Sequence, residues 1–340
     1  MSFTSQPVLV VGGGAFGTSI ASLLASAGRL VKLWVRRSDL AQEINEKHTN
    51  QKHLPGLALD PRLEAVTSFD GVMPEVKTII LTVPAHQFRD VARLIGDHLT
   101  GDQLLIHAVK GLDPDDGHLM TEIIHDETCA LKVGVLVGPA HAEELLKGTP
   151  AGALIAAKFS EIHDELGSLF QGTNLRVYTG RDIVGAEIGG AMQAVIAFVS
   201  GISDGMGLGE NTRTLLITRG YSEMTRLGVA LGARASTFGG LAGIGGLLTA
   251  SHSSCSIARQ AGERVGKGES IHELAKASTR IAEVMAIIQA TYDRAMQLKL
   301  SLPIVEAAHE VVHNGTNLQH LKDELMAVKP NTDLARLQYQ

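Results

Sequence analysis

Pro7-Val8-Leu9-Val10-Val11-Gly12-Gly13-Gly14-Ala15-Phe16-Gly17-Thr18-Ser19-Ile20-Ala21 is the stretch from which the fold follows. Four apolar residues that read as a buried parallel strand run into Gly12-x-Gly14-x-x-Gly17, and an Ala- and Leu-rich helix opens behind them. Each glycine does what a side chain would prevent. Gly12 permits the tight turn off the strand, Gly14 lets the backbone approach a pyrophosphate, and Gly17 lets the helix press close to the sheet. The helix N-terminus then offers free N–H groups and a positive dipole end to phosphates. Gly12, Gly14, Ala15, Phe16 and Gly17 are therefore the candidate contacts of a dinucleotide.

Downstream, Leu30–Val35 reads as a second strand ending in Arg36-Arg37-Ser38. An acidic residue there would accept hydrogen bonds from a ribose 2′-hydroxyl and select NAD, whereas arginine suits the 2′-phosphate of NADP. Arg36 and Arg37 thus favour NADP over NAD; the plainer reading is two solvated arginines in a loop. Residues 39–76 are polar and poorly periodic, with one helix expected from Leu40 to Lys47 and a loop at Leu54-Pro55-Gly56. Three β-rich runs follow: Val76–Val83 closed by Pro84, Leu104–Val109 closed by Lys110-Gly111, and Val133–Val137 closed by Gly138-Pro139. Their carboxyl ends make one rim, where an open parallel sheet holds its ligands. Val83, Pro84 and Lys110 lie on that rim, with His86, His107 and His141 near it. Ala153–Ala157 and Leu175–Tyr178 could extend the sheet.

Asp182 is a plausible N-cap for a long helix starting near Ile183. From there the chain turns to apolar helices carrying Gly185, Gly189, Gly190 and Gly201. Each glycine costs a helix about 1 kcal/mol against alanine, so close helix contact is the expected compensation. The fold class is α/β, a Rossmann-like doubly wound sheet over residues 1–182 followed by an all-helical domain over 183–340, with the active site expected between them. The polar tail from Ala327 is expected to fray.

Composition removes other classes of function. A net charge of −6 leaves no basic surplus for a nucleic-acid partner. Cys129 and Cys255 are too few for a disulfide scaffold, and no cysteine or histidine pair has metal-ligand spacing, so no metal is expected. No basic segment precedes the first apolar run, and Ala191–Ile202 is too short for a membrane span, so it reads as a buried helix. A cytoplasmic protein with a small-molecule substrate and no membrane partner fits best; the glycine-rich helices could support a homodimer.

Further motifs give the chain a resemblance to the NAD(P)-dependent glycerol-3-phosphate dehydrogenases. They are the opening fingerprint, Val109-Lys110-Gly111-Leu112-Asp113, Gly138-Pro139-Ala140-His141-Ala142-Glu143-Glu144 and Arg176-Val177-Tyr178. The densest are Gly189-Gly190-Ala191, Ile202–Asn211 and Leu216-Ile217-Thr218-Arg219-Gly220. The resemblance adds Ala142 to the cofactor-binding candidates, and Glu283 as the match to a glutamate near the nicotinamide ribose or its neighbouring loop. Asn211 and Arg213 fall in the retained signature as structural ties.

The departures from the family fall on the reacting residues. Where the family has its catalytic lysine and an asparagine, this chain has Gln193-Ala194. Gly246 replaces the active-site aspartate, and Ala250 replaces a threonine. Ile257 and Ala258 stand where arginine and asparagine hold the substrate phosphate. Lys110 remains, so Lys110 and Gln193 are the candidate catalytic pair. Glutamine is a poor proton donor, and isoleucine offers a phosphate nothing. One hypothesis is an oxidoreductase acting on glycerol 3-phosphate and dihydroxyacetone phosphate, or more loosely on another hydroxyl/carbonyl or imine/amine pair. The alternative is a cofactor-binding protein that has lost catalysis and serves as a sensor or assembly partner. Glu187, His141, His252 and Arg259 add polar groups whose positions the sequence leaves open; for His141 packing or helix capping is the plainer role.

Overall fold

The computed structural model describes residues 6–314 and Leu318, so the tail from Ala327 lies outside it. Two compact units emerge: one runs up to Val109 and resumes over Met120–Ile183, and the other combines Lys110–Leu119 with the chain from Val184. This division differs from a contiguous one at residue 182 by the segment Lys110–Leu119.

In the first unit eight strands are described: β1 (Val8–Val11), β2 (Val31–Trp34), β3 (Glu64–Val66), β4 (Thr78–Leu81), β5 (Leu104–His107), β6 (Lys132–Val137), β7 (Ala151–Ala157) and β8 (Leu175–Gly180). They form one sheet in the order β3-β2-β1-β4-β5-β6-β7-β8. All neighbours are parallel except β6 and β7, which run antiparallel, so β7 and β8 point opposite to the other six. The helices of this unit are α1 (Ala15–Ser26), α2 (Ser38–Lys47), α3 (Ala85–Gly96), α4 (Met120–Glu127), α5 (Ala142–Leu146) and α6 (Ser160–Leu169).

Alternate side chains of a strand leave on opposite faces, and here each face meets its own core. Val8, Val10, Leu33, Ile80 and Ile106 pack with residues of α1, α5 and α6. Leu9, Val11, Ile79, Leu81 and Leu105 pack with residues of α3 and α4. Burial on both faces explains why these strands read as uninterrupted apolar runs. At the end of β2, Trp34 stacks on Phe69 with ring centroids 4.8 Å apart.

The second unit consists of α7 (Ile183–Gly205), α8 (Gly209–Ala230), a 3-10 turn (Ala235–Gly239), a π-helical turn (Leu241–Gly245), α9 (Gly246–His252), α10 (Ile257–Gly266), α11 (Ile271–Ala277), α12 (Thr279–Gln297) and α13 (Pro303–Asn314). The apolar run Ala191–Ile202 belongs to α7, whose 23 residues have the length and composition of a membrane span. Its most apolar window is 83% buried within the protein, as in the core helix of a globular unit. The glycines of α7 and α10 explain how that burial is achieved. A Cβ on Gly201 would overlap Arg259 O and one on Gly205 would overlap Glu263 O, while one on Gly262 or Gly266 would overlap Phe198 O or Ile202 O. The two backbones touch directly, which offsets the propensity cost of the glycines.

Polar ties complete this unit. Asp204 accepts from Arg213 of α8 at 3.1 Å and from Arg259 of α10 at 2.7 and 3.0 Å. The buried Glu223 carboxylate accepts from the Ile304 N–H at 2.8 Å and the Val305 N–H at 3.2 Å, capping α13 from α8. Burial raises its pKa to about 7 against the opposing pull of those N–H groups.

Candidate functional site

The glycine loop has the geometry that a diphosphate requires. Gly12 adopts φ 121° and donates its N–H to Trp34 O at 3.0 Å. A Cβ on Gly12 would lie 2.8 Å from Thr82 Oγ1, and one on Gly17 would overlap Gly12 O. At Gly14, by contrast, a Cβ would meet nothing within 4 Å, so the loop is open where a ligand must approach. No side chain caps α1, which leaves the N–H groups of Ala15, Phe16 and Gly17 to an anion. These residues fit a dinucleotide.

Two polar side chains brace the loop from behind. Thr82 Oγ1 donates between Val11 O at 2.9 Å and Gly12 O at 3.2 Å. Asn50, fully buried, donates to Gly13 O at 3.0 Å and to Thr18 Oγ1 at 2.9 Å. Sequence reasoning did not single out Asn50, which sits in a polar loop without a local signal. Ala15, Phe16, Ala140 and Ala142 are half-buried against the same apolar cluster. Val83 is buried, and Pro84 precedes the first turn of α3.

The two arginines after β2 differ. Arg37 donates to Asp39 through Nε at 2.9 Å and again through Nη2, an interaction that raises the arginine pKa and lowers that of the aspartate. Arg36 is exposed and makes no ion pair among the described residues. Of the pair, Arg36 is the one open to a 2′-phosphate.

In the helical unit Lys110 and Gln193 come together. Lys110 precedes Gly111, whose φ of 150° only glycine adopts readily. The Lys110 ammonium donates to Gln193 Oε1 at 3.3 Å, and Gln193 Nε2 donates to Ala242 O, on the π-helical turn, at 2.8 Å. Lys110 is exposed, and the protein packed around its ammonium lowers its pKa by desolvation, an effect that solvent screening tempers. Gly246 is what admits the glutamine amide: a Cβ there would lie 2.5 Å from Gln193 Cδ and 2.6 Å from its Oε1. Lysine-to-glutamine and aspartate-to-glycine, read in sequence as separate departures, therefore meet in one contact.

Other candidates lie elsewhere. Ile257 opens α10, Ala258 is buried, and Ile257 and Ala250 pack on the apolar core of the unit. Arg259 is committed to Asp204. Arg213 ties α8 to α7 as expected, whereas Asn211 is exposed and makes no such tie among the described residues. Glu283 is half-buried in the first turns of α12, and Glu187 is buried on α7. His107 is buried edge-on to Phe88 and accepts from the Val109 N–H, a packing role. His141 occupies the N-cap of α5 without a side-chain capping bond. His252 is exposed, with Nδ1 3.0 Å from Leu248 O. Among the described residues no group of three His, Cys, Asp or Glu could hold a metal.

A doubly wound sheet with an open glycine loop, together with a helical unit presenting a lysine, defines a dehydrogenase of the NAD(P)-dependent class. The family description NAD-dependent glycerol-3-phosphate dehydrogenase N-terminus matches residues 7–163, and its C-terminus counterpart matches residues 182–323. The chain belongs to the NAD-dependent glycerol-3-phosphate dehydrogenase family. It is similar to a glycerol-3-phosphate dehydrogenase (NAD(P)+) of Bacillus cereus strain G9842, 37% identical over 322 residues that cover 94% of this chain and 95% of the relative. The crystal structure of glycerol-3-phosphate dehydrogenase from Coxiella burnetii matches with a TM-score of 0.90 at 28% identity, over 95% of this chain and 99% of that one. A PanE/ApbA family ketopantoate reductase from Ralstonia eutropha shares the fold, with a TM-score of 0.58 at 15% identity over 94% and 99% of the two chains.

Proposed function

We propose that this family member transfers hydride to or from a small substrate without a phosphate group, a carbonyl or imine rather than dihydroxyacetone phosphate. The observation that carries the reading is the pair Ile257 and Ala258. They stand where the resemblance places the phosphate-binding arginine and asparagine, and they contribute only apolar surface. A phosphate dianion needs charge-assisted donors that these positions lack.

When bound, the nicotinamide cofactor supplies or accepts the hydride. The Gly12–Gly17 loop would hold its diphosphate, and Arg36, the open arginine, favours the 2′-phosphate of NADP. Lys110 holds the ammonium that balances charge developing on a carbonyl oxygen and donates a proton to it. Gln193 spends both ends of its amide, on Lys110 and on Ala242 O, and so orients the lysine without acting as an acid. An imine suits such a site because its nitrogen is protonated before the hydride arrives. The free Cys129 and Cys255 fit a reducing, cytoplasmic location.

The test is oxidation of NADPH and NADH with dihydroxyacetone phosphate, dihydroxyacetone and a panel of unphosphorylated aldehydes, ketones and imines. The expected result is a panel member with kcat/KM above that of dihydroxyacetone phosphate, reduced about a hundredfold or more by Lys110→Met. Dihydroxyacetone phosphate as the best substrate overturns the reading. Cofactor binding without turnover of any compound replaces it with a noncatalytic, sensor-like protein.

A further inference from the structure

We propose that Asn50 is a positioning residue for the cofactor: it sets the direction of the Gly14 N–H and thereby the affinity for a dinucleotide diphosphate. The inference rests on the glycine loop being the diphosphate site. Asn50 comes from the segment between α2 and β3, far in sequence from the loop it touches, and no part of it is exposed. Its amide orientation is determined by its neighbours. Gly13 O can only accept, so Nδ2 faces it, and the His53 N–H can only donate, so Oδ1 faces that group at 3.3 Å. The second Nδ2 hydrogen goes to Thr18 Oγ1, one turn into α1.

The consequence follows from the planarity of the peptide. In a trans peptide the C=O of one residue and the N–H of the next point in opposite directions. Holding Gly13 O against the buried Asn50 therefore aims the Gly14 N–H to the opposite side, away from Asn50. Thr82 acts in the same way on the preceding peptide, through Gly12 O and the Gly13 N–H. Glycines have little intrinsic preference to stay in one orientation, so without a brace these peptides can flip and present carbonyl oxygens to a phosphate. The loop carbonyls from Val11 to Gly14 all have protein donors: Thr82 for the first two, Asn50 for Gly13 and the Thr18 N–H for Gly14. That leaves the N–H groups of Gly13 and Gly14 to the ligand, since the Gly12 N–H is taken by Trp34 O.

The experiment measures binding of NADPH, NADH, ADP-ribose and adenosine to the full-length wild-type protein and to Asn50→Ala, Asn50→Asp and Thr18→Val. Losing one orienting hydrogen bond is expected to weaken the three diphosphate ligands alike by about tenfold or more in both Asn50 variants. Adenosine, which carries no phosphate, keeps its affinity. Thr18→Val removes the other Nδ2 partner and destabilises the loop while sparing Gly13 O, so it stays within about twofold of wild type. If Asn50→Ala does not fold, Asn50→Asp carries the test, because it is isosteric and keeps the acceptor for His53. An Asn50 variant that binds as tightly as wild type overturns the proposal, as does a Thr18→Val loss of equal size or an equal loss for adenosine. A wild-type protein that binds none of the dinucleotides overturns the cofactor reading itself.

Discussion

Replacing Gly246 with alanine is expected to destabilise the helical unit in the wild-type background and to stabilise it once Gln193 is shortened. The backbone at Gly246 is right-handed helical, with φ −67° and ψ −35°, so alanine is allowed there and adds up to about 1 kcal/mol of helix propensity. Its methyl would lie 2.5 Å from Cδ and 2.6 Å from Oε1 of Gln193, so the amide must swing off Ala242 O and off Lys110. Leaving a buried carbonyl without its donor costs about 1–3 kcal/mol, which exceeds the propensity gain. The net loss, centred near about 1 kcal/mol, lowers the melting temperature by roughly 2–4 °C per kcal/mol. In Gln193→Ala the same methyl enters space that the amide has vacated, and only the propensity gain remains. Thermal and urea unfolding of the four proteins, followed by far-ultraviolet circular dichroism, gives the coupling directly. Equal effects of Gly246→Ala in both backgrounds, within about 0.5 kcal/mol, would refute the reasoning.

Two further outcomes are expected. Arg36→Asp should weaken NADPH about tenfold or more and spare NADH, because it removes the open guanidinium after β2; unchanged preference in a binding titration counts against NADP selection. Glu223 has a folded-state pKa raised to about 7, so its favourable contribution is complete below the ordinary carboxylate range and is lost as the pH rises through about 7. Stability should therefore fall by up to about 3 kcal/mol across that window, and Glu223→Gln should flatten the slope; a wild-type urea series without the slope contradicts this assignment.

Elements governed by local rules were legible in the sequence. β1, the glycine loop and α1 could be read because buried strand, turn glycines and helix follow one another without a break, and Gly189 and Gly201 of α7 do meet neighbouring backbone. Three features depend on contacts distant in sequence. β3 has three residues and no apolar pattern, so only its pairing with β2 makes it a strand. The reversal at β7 lies in which neighbour its hydrogen bonds meet, and side-chain type does not encode that. Arg259 looked like a possible site residue until Asp204, fifty-five positions away, was seen to hold it. The same holds for the site: Lys110 was visible as a rim residue, but the fit of Gln193 against Gly246 exists only where two helices cross.

The stack of Trp34 on Phe69 makes the protein a convenient optical object, because Trp34 is its single tryptophan and lies in the sheet unit. Selectively excited emission therefore reports that unit alone, while helix ellipticity is dominated by the chain after Val184. Unfolding curves recorded both ways coincide if the units melt together and separate if they do not.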